Sequence, residues 1–175
     1  MAPALLLHWH AMLNVRTTQS DNTPSDARFR VLLTEDRARP DEHWTRQLPQ
    51  LVRPLGVEAT IASDGPAALE LLSNTPIHAA VIDLNTPAPQ SSQAGGLWLL
   101  QVIHRLKDPP PVVVVNSHSY SQKQSARMLN QALDLGAFSV VNWPVQIDTL
   151  LSTFQRLIER AYNNHWPGEG PATSH

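Results

Sequence analysis

Ala79-Ala80-Val81-Ile82-Asp83-Leu84-Asn85-Thr86-Pro87 is the stretch whose reading decides the fold. Four apolar residues run together and end on an acid, as a strand buried on both faces ends at a polar sheet edge. The design recurs at Val112-Val113-Val114-Val115-Asn116-Ser117, four β-branched residues followed by an amide and a hydroxyl. Such a run suits a central strand of a parallel sheet. Residues 31–34 repeat it in shorter form and end at Glu35 and Asp36. Residues 57–62 and 138–141 read as two further strands.

Segments of helical spacing separate these runs. Residues 41–55 carry Trp44, Leu48, Leu51, Val52 and Leu55 at near-helical intervals, and Gly56 follows as a C-terminal cap. Ser63-Asp64-Gly65-Pro66 forms a turn and helix start, continued by residues 67–72. Residues 96–106, 121–135 (closed by Gly136) and 145–162 give three more helices. The last carries Ile147, Leu150, Leu151, Phe154, Leu157 and Ile158 on its apolar side. Five strands alternating with five helices predict an α/β protein with a single doubly wound parallel sheet. Periodicity does not give the strand order. Ligands on such sheets bind beyond the carboxyl ends of the strands. Those ends carry Glu35 and Asp36, then Asp83, Asn116 and Ser117, and Asn142 and Trp143.

Composition narrows the chemistry. A 42% hydrophobic chain of 175 residues supports one real core. The net charge of -2 gives no electrostatic attraction to nucleic acid or to an anionic membrane. The chain has no cysteine, which excludes disulfides, thiolate catalysis and cysteine-ligated zinc. The apolar run at residues 4–7 is broken by His8 and His10 and reads as neither signal peptide nor membrane span, so a cytoplasmic protein is expected. The expected division is a flexible N-terminal extension over 1–28, one domain over 29–162, and a loose tail over 163–175.

Glu35, Asp36 and Asp83 are expected to converge. Like charges this close require a proton or a cation among them, and oxygen-rich sites that keep several waters suit magnesium. A carboxylate beside such an ion can attack an activated phosphoryl group and form an acyl phosphate. One acid after one strand is ordinarily just a polar loop cap; a pair after the first strand with another after the third is more specific. His8, His10 and His118 do not supply a metal site with three converging ligands. No phosphate-binding glycine loop occurs, so nucleotide binding is unsupported.

Over residues 28–162 the chain resembles the response-regulator receiver family of two-component signalling. Val31-Leu32-Leu33-Thr34-Glu35-Asp36 looks like the family's first strand and acidic pair. Residues 79–87 look like the strand of the phospho-accepting aspartate, Gly95-Gly96 like the start of the third helix, and Ala132-Leu133-Asp134-Leu135-Gly136-Ala137 like the approach to the fifth strand. Pro144 matches the proline of the last connection. The resemblance implies a flavodoxin-like receiver fold and phosphoryl transfer from a histidine kinase or phosphotransfer protein to Asp83. It implies Mg²⁺ held by Asp36, Asp83 and the backbone carbonyl of Asn85, with Glu35 acting through water. It further implies that Asn116 or Ser117 stands at the hydroxyl position, that Trp143-Pro144 is cis, and that a homodimer through the fourth helix, fifth strand and fifth helix is within the family's range.

The chain also departs from that pattern. Trp143 stands where the family has a lysine, Asn116 where it has a hydroxyl residue, and Val140 where it has an aromatic one. The two lysines, Lys107 and Lys123, lie on other segments. Losing one charge-assisted bond, about 1.5–3 kcal/mol, weakens phosphorylation by roughly one to two orders of magnitude. The loop over residues 85–94 is longer than usual for the family; it is either a cover for the acids or, the plainer reading, a surface insertion. Three functions remain: a stand-alone receiver that takes phosphate on itself, a pseudo-receiver that binds protein without phosphate, and, on a faint likeness of Asp83-Leu84-Asn85-Thr86, a small aspartate-dependent phosphatase.

Overall fold

The computed structural model of the chain describes residues 29–35, 43–88, 95–116 and 121–162. The expected extension and tail (1–28 and 163–175), Asp36, Ser117, His118 and residues 89–94 of the long loop lie outside the described residues.

Among the described residues, five parallel strands form one sheet: β1 (Phe29–Thr34), β2 (Val57–Ala62), β3 (Ala79–Asp83), β4 (Val112–Asn116) and β5 (Ser139–Asn142). Five α-helices alternate with them: α1 (His43–Val52), α2 (Gly65–Asn74), α3 (Gly95–His104), α4 (Gln122–Asp134) and α5 (Ile147–Tyr162). The strand order, which the sequence left open, is β2-β1-β3-β4-β5. Boundaries differ from the sequence reading by a few residues. The segment expected as one helix over 41–55 splits into α1 and a 3-10 turn, Arg53–Leu55, that contains Pro54. That turn ends at Gly56, whose φ of 79° is the left-handed conformation that glycine adopts without a Cβ clash. The fifth strand runs one residue later than expected, so Asn142 belongs to it.

Alternation along the strands divides the core. Val31, Leu33, Val81, Val113, Val115 and Val141 face α1 and α5, where Trp44, Leu48, Phe154 and Leu157 pack on them. Leu32, Ala80, Ile82, Val112 and Val114 face the other way, toward α2, α3 and α4. Period-2 strands buried on both faces require apolar residues at every position, which explains the unbroken runs. Asp64 caps α2 by accepting the Ala67 N–H at 2.9 Å, and Ser121 with Gln124 forms a capping box on α4.

The amino-terminal edge of the sheet is closed by a polar knot. The backbone N–H of Arg30 donates to His78 Nδ1 at 2.8 Å, and the His78 N–H donates back to the Arg30 carbonyl at 2.8 Å. The Tyr162 hydroxyl donates to the His78 carbonyl at 2.6 Å and so ties the end of α5 to the start of β3. Phe29 packs edge-on against the Tyr162 ring, with centroids 5.5 Å apart. Because Nδ1 is an acceptor here, the neutral His78 ring carries its proton on Nε2. Burial, and then the nearby Arg30 charge, push its pKa below the usual 6.5. A base with a depressed folded pKa binds its proton more readily in the unfolded chain. The stability it supports is therefore present above 6.5 and is lost as pH falls through the folded value. In His78→Asn, whose Oδ1 still accepts the Arg30 N–H, denaturant unfolding at pH 7 and pH 5 should show a smaller acid loss than the unaltered protein; an equal loss in both would refute this origin.

Candidate functional site

The carboxyl edge of the sheet is built around Asp83, which is 0% exposed. Its backbone N–H donates to Thr34 Oγ1, the side chain that ends β1, at 3.0 Å. Thr34 Oγ1 lies 2.6 Å from Thr86 Oγ1, and the Thr86 hydroxyl donates to the Asp83 carbonyl at 2.6 Å. The proton order follows from those partners. A carbonyl only accepts, so the Thr86 proton goes to Asp83 and Thr34 donates to Thr86. Thr34, Thr86 and Asp83 are all buried, and the chain of bonds closes on the same residue at which it starts.

This arrangement fixes the loop after β3. The Thr86 N–H donates to the Asp83 carbonyl at 3.0 Å, closing a turn, and the Asn85 N–H donates to Asp83 Oδ1 at 2.8 Å. The Gly65 N–H donates to the Pro87 carbonyl at 3.0 Å, anchoring the loop to the start of α2. On the other side α3 docks by its first residues. A Cβ on Gly96 would overlap the Asp83 carbonyl oxygen and come within 2.6 Å of Leu84 Cα, so the helix reaches this position only with glycine there.

The sequence-predicted residues stand as follows. Asp83 and Asn85 are adjacent in the turn, and half-buried Glu35 directly follows Thr34, which contacts Asp83. The ends of β1 and β3 therefore meet through Thr34 and Asp83; Asp36 and Ser117 lie outside the described residues. Among the described residues no three His, Cys, Asp or Glu side chains gather to hold a metal ion. The described donors at this edge are the Asp83 and Glu35 carboxylates and the Asn85 carbonyl, an all-oxygen set whose chemistry fits magnesium rather than a softer ion.

Asn116 ends β4 beside the Asp83 segment: Val115 is in register with Asp83, and the Leu84 N–H donates to the Val115 carbonyl at 3.0 Å. Its side chain is 2% exposed, and its Nδ2 donates to Asn142 Oδ1 on β5 at 3.2 Å. The Trp143 N–H donates to the Asn116 carbonyl at 3.0 Å, the Trp143-Pro144 bond is cis, and Trp143 is 38% exposed. Val140 is half-buried against the helix layer of α3 and α4. Sequence reasoning missed Thr34 and Thr86, and placed Asn142 at this edge without its pairing to Asn116. Threonine at a strand end reads as β propensity; the one available signal was a polar residue closing an otherwise apolar run.

No protein-family model matches this chain. It is similar to putative NtrX-like response regulators: 23% identical over 129 residues to that of Rickettsia bellii, covering 74% of this chain and 24% of the relative, and 26% identical over 104 residues to that of Rickettsia conorii, covering 59% and 20%. The chain thus spans a quarter or less of the length of these curated relatives. Among solved structures it resembles the receiver domain of the Francisella response regulator 1452, with a TM-score of 0.60 and 23% identity over 75% of this chain and 98% of that one. A receiver domain protein (CheY-like) of Methanospirillum hungatei gives 0.60 and 23% over 78% and 98%. The architecture is that of a response-regulator receiver domain, as the sequence resemblance implied.

The hydroxyl chain generates a stability prediction. Thr34→Val keeps the shape but strands the buried Asp83 N–H, which costs about 1–3 kcal/mol. Urea unfolding should show that loss, and a smaller additional loss when Thr86→Val is added; strictly additive losses would break the coupling of the two hydroxyls.

Proposed function

We propose that this protein is a phosphorelay receiver that takes a phosphoryl group on Asp83 from the phosphohistidine of a kinase or phosphotransfer protein. The observation that carries the reading is the Thr34 Oγ1 bond to the Asp83 N–H, because it joins the strand of the acidic pair to the strand of the acceptor. In the transfer an Asp83 carboxylate oxygen bonds to phosphorus while the P–N bond breaks. The electron pair leaves on the imidazole nitrogen, and an acyl phosphate remains on the protein. Asp83, Asp36 and the Asn85 carbonyl, with Glu35 through water, would hold a magnesium ion, which supplies neutralising charge for the phosphoryl oxygens. Asn116 takes the position of the family's hydroxyl donor. The chain accepts phosphate on itself and turns over no external substrate. Among the described residues no helix is long and apolar enough to cross a membrane.

A second reading is favoured by the partly exposed Trp143 at the lysine position: a pseudo-receiver that binds its partner without phosphate. The two readings separate in one experiment. Incubation with acetyl phosphate and Mg²⁺, followed by intact mass, should give one phosphate adduct that is absent in Asp83→Asn. Trp143→Lys should raise the adduct yield at limiting donor by about ten- to a hundredfold, the value of one charge-assisted bond. No adduct in either protein would leave the pseudo-receiver reading standing.

A further inference from the structure

Asn116 Oδ1 is a buried acceptor with no hydrogen-bond partner among the described residues, while the Nδ2 of the same amide donates across to Asn142. A buried amide with one end bonded and one end empty is poised to turn. Asn142 lies in register with Asn116 on the neighbouring strand and is exposed, so its own amide can rotate in solvent. If both amides rotate by half a turn, Asn142 Nδ2 donates to Asn116 Oδ1. The bond between the strands survives with its direction reversed. Asn116 then presents N–H groups where it had presented the empty oxygen. One orientation presents an acceptor and the other a donor at the end of β4, one residue beyond Val115, which is in register with Asp83, and the backbone is the same in both because the Asn116 carbonyl remains held by the Trp143 N–H.

We propose that the Asn116–Asn142 pair is a reversible amide switch: an anion on Asp83 selects the orientation in which Asn116 donates to it, and Asn142 is the positioning residue that accommodates both. The inference rests on the phosphoryl-acceptor reading of Asp83. An isolated asparagine donating to the anion would leave its Oδ1 buried and unpaired. Asn142 supplies the returning hydrogen bond, so in the bound state both ends of the buried Asn116 amide are used, while the exposed Asn142 oxygen is left to solvent. A hydroxyl residue needs no such partner, because one oxygen both donates and accepts. Asn142 therefore has a defined task that follows from the amide at 116.

Asn142→Asp tests this. A carboxylate only accepts, so it holds Asn116 Nδ2 on the strand side and opposes the turn. The probe is beryllofluoride with Mg²⁺, titrated against the unaltered protein, Asn142→Asp, Asn116→Ala and the double variant. Asn142→Asp should bind about ten- to a hundredfold more weakly, the value of one hydrogen bond to a charged group. Most of that loss should vanish in the Asn116→Ala background, because the effect passes through the Asn116 amide; a through-space effect of the new charge would persist there. The Asn116 side-chain ¹⁵N–¹H signals should move on saturation in the unaltered protein and stay in place in Asn142→Asp. Equal affinity of Asn142→Asp and the unaltered protein, an undiminished loss in the double variant, or an unmoved Asn116 signal overturns the switch alone. Failure of the unaltered protein to bind beryllofluoride and to accept phosphate overturns the acceptor reading together with it.

Discussion

The hydrogen bond from the Asp83 backbone to Thr34 Oγ1 is the contact on which the carboxyl edge of the sheet depends. Parallel strands are joined by their ladders up to their ends, but the pairing of β1 with β3 stops at Leu33 and Val81. Beyond that register the two chains would diverge and leave the Asp83 N–H buried without a partner. The threonine hydroxyl extends the ladder by one bond and passes it on, through Thr86, to the Asp83 carbonyl. Both backbone polar groups of Asp83 are thereby satisfied without the β1 backbone. One oxygen of the carboxylate is held in turn by the Asn85 N–H.

Much of the fold was legible because parallel strands leave a strong record. Val112 to Val115 and Ala79 to Ile82 could only be two-sided core, and both are fully or almost fully buried. The alternation of strand and helix runs followed. The order of strands did not, because nothing in a local period says which neighbour a strand will choose. The ends of elements were displaced for local reasons, as where Pro54 and Gly56 convert the last turn after α1 into a 3-10 turn.

The site was legible where charge carries the signal and hidden where it does not. Asp83 and Glu35 were singled out because acids are unusual at the ends of apolar runs; Asn85 entered only through the family resemblance. Thr34 and Thr86 were hidden because threonine fits a strand on propensity alone; its second role appears only once β1 and β3 are side by side. Asn142 was visible at the edge but its pairing was hidden, because the fifth strand was expected to stop before it and its meaning depends on facing Asn116 in register.

These substitutions form a consistent physical pattern. On the proposed reading, attack on phosphorus depends on a positioned carboxylate, and the Thr34–Thr86 chain and the Asn85 N–H provide the position. Retention of the phosphoryl group depends on donors around its oxygens, and there this chain has an amide where the family has a hydroxyl and an indole where it has an ammonium. A bond from a charged donor is roughly twice as strong as one from a neutral donor. Exchanging the ammonium therefore weakens the phosphorylated state far more than it disturbs the resting one, since no part of the hydroxyl chain involves Trp143. Neutral donors must then carry the discrimination between occupied and empty states. On the inference drawn above the amide does so by reorienting, with a neighbour able to exchange donor for acceptor, which is the role assigned to Asn142 on β5.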